Sequence, residues 1–164
     1  MDKFSMDMLK QLLPEEKEVK VPAPKPRGPQ LDHWSPAILL ERGAYLRKMA
    51  KLGDGSAGET LKEYPQHFTM LSFRSRNGEA EVHERFADMF YVLEGHATLV
   101  TGGTVTGART VGQGEIRGDA VEGGARQELR AGDVAHVPAG LPHQMLVAAE
   151  KTFTAFVIKI QEIP

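Results

Sequence analysis

Glycine cuts the second half of this chain into short pieces: eleven of its 17 glycines fall between Gly95 and Gly140. Glycine enters positive-φ turns without strain, so this density suits tight turns between many short strands. After Glu63, eight β-prone runs stand between Gly, Pro, Asn and Asp punctuation: His67 to Phe73, Glu79 to Val82, Met89 to Leu93, Ala97 to Thr101, Gln127 to Leu129, Val134 to Val137, Met145 to Val147 and Thr152 to Ile160. Strands this short and close together predict an antiparallel sandwich or barrel rather than a βαβ sheet.

Upstream the pattern differs. Phe4, Met8, Leu9, Leu12 and Leu13 carry helical spacing, which reads as a short surface helix or as an arm packed on a partner subunit. Six of the ten prolines lie from Pro14 to Pro36, among Lys17, Lys20, Lys25 and Arg27. Proline fixes φ and removes donors, so an extended linker or a strap over the barrel is expected. Ser35-Pro36 then opens a helix, serine as cap and proline in the first turn, with Ile38, Leu39, Leu46 and Met49 on one side. Gly53 is placed to end it, and Gly53 to Gly58 reads as a flexible turn. The expected organisation is an arm and linker over 1–30, a helical lead-in over 31–60 and a barrel over 61–164.

At 164 residues the chain can bury a core without staples. Its 20 basic and 22 acidic residues leave a net charge of -2 with no sustained basic run, so no nucleic-acid partner is expected. Cysteine is absent, which excludes disulfides, thiolate metal sites and a cysteine nucleophile. No apolar run is long enough to span a bilayer, and no membrane partner is expected. Residues Met1 to Lys10 lack the basic-then-apolar order of a signal peptide, so a cytoplasmic location is the default expectation.

Two stretches carry metal-type side chains. In Glu81-Val82-His83-Glu84-Arg85-Phe86-Ala87-Asp88, strand alternation projects Glu81 and His83 to one face. Asp88 opens the next strand after a four-residue turn, and hairpin pairing would return it beside His83. In Gly132 to His143, the turn Pro138-Ala139-Gly140-Leu141-Pro142 launches a strand whose first residue, His143, is placed to face the same cavity. Two imidazoles and two carboxylates from two hairpins would then converge. Such donors suit Zn, Mn, Fe, Co or Ni. The alternative for the same residues is a hydrogen-bonded polar pocket with a solvated strand-end carboxylate.

The two stretches resemble the paired motifs of the cupin superfamily. The first motif reads His-x-His, three or four residues, Glu, six residues, Gly. His83 matches the second histidine, Asp88 the glutamate and Gly95 the glycine, while Glu81 replaces the first histidine. The second reads Gly, five residues, Pro-x-Gly, two residues, His, three residues, Asn. Gly132, Pro138, Gly140 and His143 fit it, and Val147 replaces the asparagine. The match runs from about Gln66 to Ile160. It implies an all-β fold: a single antiparallel cupin barrel, the double-stranded β-helix or jelly roll, behind an N-terminal helical and Pro-rich extension. It also implies one divalent transition metal, barrel pairing into a homodimer, and dioxygenase, isomerase or lyase chemistry. Two histidines with two carboxylates make a harder set than three histidines, which favours Zn, Mn or Fe. Asp88, one methylene shorter than glutamate, either reaches the metal or orients His83 from behind.

Other candidates are His136, His67 and Tyr91 as pocket lining; His136 reads equally as a surface residue, a one-residue shift reverses the face of His67, and Tyr91 reads first as core packing, with a proton donor in a metal-free isomerase as its alternative. His33 and His96 read as surface or turn histidines, and Glu84 and Arg85 as a solvated turn with Arg85 near the rim. The segment Gly112 to Gly124 lacks the Lys-Ser/Thr of a phosphate cradle and reads as an elaborated hairpin loop or a subunit contact. The expected function is a metal-dependent enzyme acting on a small oxygen-bearing organic molecule, with Glu81 as the proton-moving carboxylate. The alternative is a non-catalytic barrel that holds a small molecule without a functional metal. Glu81→Gln separates them, abolishing turnover in the first and only altering affinity in the second.

Overall fold

The computed structural model describes residues 28–162. The expected helical arm over residues 4–13 and the linker as far as residue 27 lie outside them. No described helix is long and apolar enough to cross a membrane.

From Trp34 onward the described chain forms one compact unit. It opens with helix α1 (Pro36–Leu52), started as the sequence predicts: the Ser35 side chain accepts a hydrogen bond from the Ile38 amide at 3.3 Å, and proline fills the first turn. Gly53 ends the helix by donating its amide to the Ala50 carbonyl at 3.2 Å. The buried face is Leu39, Gly43, Leu46 and Ala50, whereas Ile38 and Met49 are exposed. The expected stripe is therefore rotated by about one residue, because small Gly43 and Ala50 let the helix lie close to the sheet. Ser35→Ala removes one cap bond and should lower stability by about 1 kcal/mol. A lower urea midpoint at unchanged slope is the expected result.

Twelve strands follow: β1 (Ser56–Glu63), β2 (His67–Arg74), β3 (Ala80–His83), β4 (Phe86–Thr101), β5 (Thr104–Thr106), β6 (Arg109–Gly112), β7 (Glu115–Gly118), β8 (Ala120–Glu122), β9 (Ala125–Arg130), β10 (Val134–Val137), β11 (His143–Leu146) and β12 (Phe153–Gln161). Ten of them form one antiparallel sheet with path β1-β2-β12-β4-β11-β3-β7-β6, while β10 and β9 add to β4; β5 and β8 pair separately. The first half of β4 pairs with β12 and β10, and its second half with β11 and β9. One strand thus belongs to two layers. Their inner faces share a core of Val92, Leu99, Leu129, Val137, Met145, Phe153 and Val157. The opposite face of β2 packs Leu71 and Phe73 against Leu39 and Leu46 of α1.

Three expectations change. Gly53 to Gly58 is not a turn throughout, since β1 starts at Ser56 and pairs with Arg74. Gly95 does not separate two strands: β4 runs on through it with a register shift against β12. Gly95 takes φ 87°, and a Cβ there would run into the Thr152 carbonyl oxygen, so glycine lets the strand bend without breaking. The segment Gly112 to Gly124 is not a plain loop. It contains β7 and β8, and β7 pairs with β3 along its whole length.

Candidate metal and ligand site

β3 lies between β11 and β7, with Glu81 opposite His143 on one side and His83 opposite Glu115 on the other. The Gly140 amide donates to the His83 carbonyl at 2.8 Å, so the Pro138–Gly140 turn clasps the end of β3. Residues Glu84 and Arg85 are exposed and carry the chain over to β4, in the other layer. Asp88 therefore faces His83 across the barrel. It is not its hairpin neighbour: β4 pairs with β12 there, and Asp88 stands opposite Lys159. The sequence expectation of two hairpins becomes three strands meeting from two layers.

The four donors come together. His83 Nε2 stands 3.3 Å from Glu81 Oε2 and 3.5 Å from Asp88 Oδ2, and His143 Nε2 stands 3.7 Å and 3.5 Å from the same two oxygens. All four donor atoms lie within 4.8 Å of one another, and His83, Asp88 and His143 are buried. Donors bound at about 2.1 Å to one tetrahedral ion stand about 3.4 Å apart, which these distances match. Both rings are fixed from behind. His83 Nδ1 contacts Glu115 Oε2 at 2.7 Å, and His143 Nδ1 contacts the Leu141 carbonyl oxygen at 3.1 Å. Each ring thereby presents Nε2 to the others, as a metal-bound histidine does. His143 Nε2 is buried without a hydrogen-bond partner. The residues fit a metal ion, with one condition set by Lys159.

Lys159 was not singled out by the sequence reading. Its Nζ donates to Asp88 Oδ2 at 2.7 Å and lies 2.7 Å from His83 Nε2. Asp88 Oδ1 is also 2.6 Å away, an ion-pair contact without hydrogen-bond alignment. An entering divalent ion would meet this ammonium among its ligands, so the side chain has to turn aside. The clue was parity: Phe153, Ala155, Val157 and Lys159 alternate on one face of β12, so a charge on that face points at the barrel interior.

Charge coupling is strong. Burial opposes ionisation of Glu81, yet His83, Arg117, His143 and Lys159 outweigh it and hold the carboxyl down at about 2. Burial likewise disfavours Asp88 as an anion, but the nearby imidazoles of His143 and His83 and the charge of Lys159 hold it well below the usual carboxylate range. Burial alone would lower His83, but Asp88 and Glu81 raise it to about 9. In the metal-free site the carboxylates thus favour a protonated His83, while the Lys159 ammonium beside Nε2 opposes it.

Glu115 is the second residue the sequence reading missed. Asp88 does not orient His83 from behind; Glu115 does, and Arg117 Nη1 braces the same oxygen at 3.2 Å. Nothing local could reveal a partner 32 residues away. Replacing Glu115 with Ala should weaken metal affinity by about tenfold, measured by competition with a chromogenic chelator.

The site opens on a cavity of about 150 Å³ between the layers. Glu81, Asp88, His143 and Lys159 stand on its wall with apolar Met70, Phe90, Met145 and Phe153. The three other expected lining residues are elsewhere. Tyr91 is exposed, because its neighbour Phe90 takes the inward position of β4. His136 lies on the outer parity of β10, whose Val137 is buried. His67, at the exposed start of β2, stacks on Tyr64 with ring centroids 4.3 Å apart. His96 pairs on the surface with Glu128 at 2.8 Å, and His33 is exposed.

No protein-family model matches the chain, and no curated protein matches it. Solved structures do. A protein of Thermus thermophilus, TT1209, superposes with a TM-score of 0.51 at 19% identity, covering 74% of this chain and 93% of that one. The DMSP lyase DddQ of Ruegeria pomeroyi gives 0.50 at 17%, covering 70% of this chain and 51% of that one, so this chain matches about half of the lyase. A Klebsiella pneumoniae protein described as having a double-stranded beta-helix domain gives 0.48 at 16%, covering 65% and 76%. The barrel shares the fold of TT1209 and DddQ. At these identities the likeness speaks for the fold. Of the residues that carry the sequence resemblance, His83, Asp88 and His143 meet at the site together with Glu81, and Val147 is a buried core residue where the motif has asparagine.

Proposed function

We propose that this chain is a metal-dependent cupin enzyme acting on a small oxygen-bearing organic molecule in the barrel mouth. The observation that carries this reading is the convergence of Glu81, His83, Asp88 and His143, with both Nδ1 atoms already engaged and His143 Nε2 unpartnered. Zn, Mn and Fe suit the two-imidazole, two-carboxylate set. When bound, such a metal supplies Lewis-acid polarisation of an oxygen group or activation of water or oxygen. The chain supplies the rest. Glu115 and the Leu141 carbonyl hold the rings so that little reorganisation is needed. Met70, Phe90, Met145 and Phe153 exclude water from the bound molecule. Glu81, on the cavity wall, is the carboxylate assigned to moving a proton at the ligand. A homodimer is part of the proposal, since β1 ends the sheet path with an edge that calls for cover.

Elemental analysis of protein purified without a metal-affinity tag tests the metal. About one equivalent of Zn, Mn or Fe, lost in a His83→Ala/His143→Ala control, supports the reading. No metal after reconstitution with each ion would refute it. Lys159 favours a second reading: its ammonium already neutralises Asp88, so the barrel would hold a small ligand without a functional metal. In that case reconstitution fails while ligand binding persists.

A further inference from the structure

The charges around the cavity are unevenly partnered. Arg117 contacts Glu115 and Glu81, Lys159 contacts Asp88, and Glu79 is taken by Arg109. The side chain of Arg74, which also lines the cavity, has no hydrogen bond or ion pair among the described residues. It is partly buried at the end of β2, where Met70 and Ser72 precede it on the cavity face.

The surroundings of Arg74 are built. Its guanidinium lies over Gly78, where an added Cβ would stand 3.1 Å from Nη1 and 3.2 Å from Cζ. Gly78 is itself pinned: its amide donates to the Met145 carbonyl at 2.8 Å, and its carbonyl accepts from buried Gln144 Nε2 at 2.9 Å. The guanidinium therefore rests on a fixed backbone with its donors unspent. Along β12 it pairs at Phe153, whereas the metal-type donors gather at Lys159, six residues further on. The apolar wall lies between these ends.

We propose that Arg74 binds the anionic end of the ligand and that the cavity takes small organic carboxylates with an apolar body. A partly desolvated guanidinium without a counter-ion is stabilised by a carboxylate, which its planar fork matches with two parallel hydrogen bonds. A volume of about 150 Å³ limits the body to about the size of one benzene ring. The inference deepens the proposed function by naming the substrate class, and it rests on reading this cavity as the ligand site.

The test uses matched acid and amide probes, benzoate with benzamide and hexanoate with hexanamide. Binding is measured by calorimetry on chelator-treated and Zn-loaded protein. Wild type is expected to bind the acids at least about tenfold tighter than the amides. Arg74→Met should abolish that preference, and Arg74→Lys should keep part of it. If Arg74→Met fails to fold, Arg74→Gln against Arg74→Lys carries the same comparison. Equal affinity for acid and amide, binding of neither, or a preference that survives removal of the charge overturns the proposal. A preference lost in the double-histidine variant but kept in Arg74→Met would place the anion on the metal donors instead. A protein that takes up no metal on reconstitution yet keeps an Arg74-dependent preference would refute the metal reading and leave this one standing.

Discussion

Replacing Lys159 with Met is expected to lower the stability of the metal-free protein by about 3 kcal/mol and to raise its affinity for a divalent ion by about tenfold to a hundredfold. Both effects have one source. The ammonium touches both oxygens of Asp88, at 2.6 and 2.7 Å, and the side-chain exposures of the pair are 13% and 2%. Removing one partner of a buried pair leaves the other charge unsolvated. Met preserves length and flexibility, so packing is little disturbed. A divalent ion arriving at wild type must displace or repel this ammonium, whereas in the variant it takes over its neutralising role. Urea denaturation with and without Zn or Mn, and metal titration by calorimetry, measure the two effects. Stability lost without metal and recovered with it is the expected pattern. Unchanged or weaker metal affinity would show that the ammonium is no competitor.

Metal affinity is expected to climb about tenfold per pH unit up to about pH 9, because a metal needs the neutral imidazole of His83, whose proton is held to about 9. Calorimetry in buffers of different ionisation heat should report about one proton released per ion bound near neutral pH. The metal-free protein responds in the opposite sense. A pKa raised from 6.5 to about 9 gives stability that is complete below 6.5 and is lost as pH rises through 9, an effect of about 3 kcal/mol. Glu81 has its pKa lowered from 4.5 to about 2, so its contribution is complete above 4.5 and is lost as pH falls toward 2. These two groups together place the stability plateau of chelator-treated protein between about 4.5 and 6.5. Denaturation midpoints that rise from pH 6.5 to 9 without metal would contradict the imidazolium.

Much of the site was legible because its cues are local. Alternation along four residues of β3 was enough to set Glu81 and His83 on one face. The Pro138–Gly140 turn announced His143 as the start of a strand, and it lies buried there. Tyr91 shows how fragile the same logic is. A single step of parity separates it from Phe90, and the apolar run around them gives no sign of which one points inward. His67 and His136 failed likewise, since a histidine suits a strand's outer face as well as a cavity. Lys159 offered a readable sign, a lone charge on the otherwise apolar inner face of β12, but its meaning depended on what stood opposite.

The sequence by itself determined the small-strand architecture, the helix start at Ser35, and the residues able to bind a metal, because turn geometry, capping and alternation act over a few neighbours. Only the tertiary structure decided that Asp88 meets His83 across the barrel, that Glu115 fixes its ring, that Lys159 lies 2.7 Å from its free nitrogen, and that Arg74 is left without a counter-charge. These relations join residues on strands far apart in the chain, Lys159 standing 76 positions from His83. Electrostatic partnership acts through space, and the distance through space is set by strand register and by the fold of β4 between two layers, which no local pattern encodes.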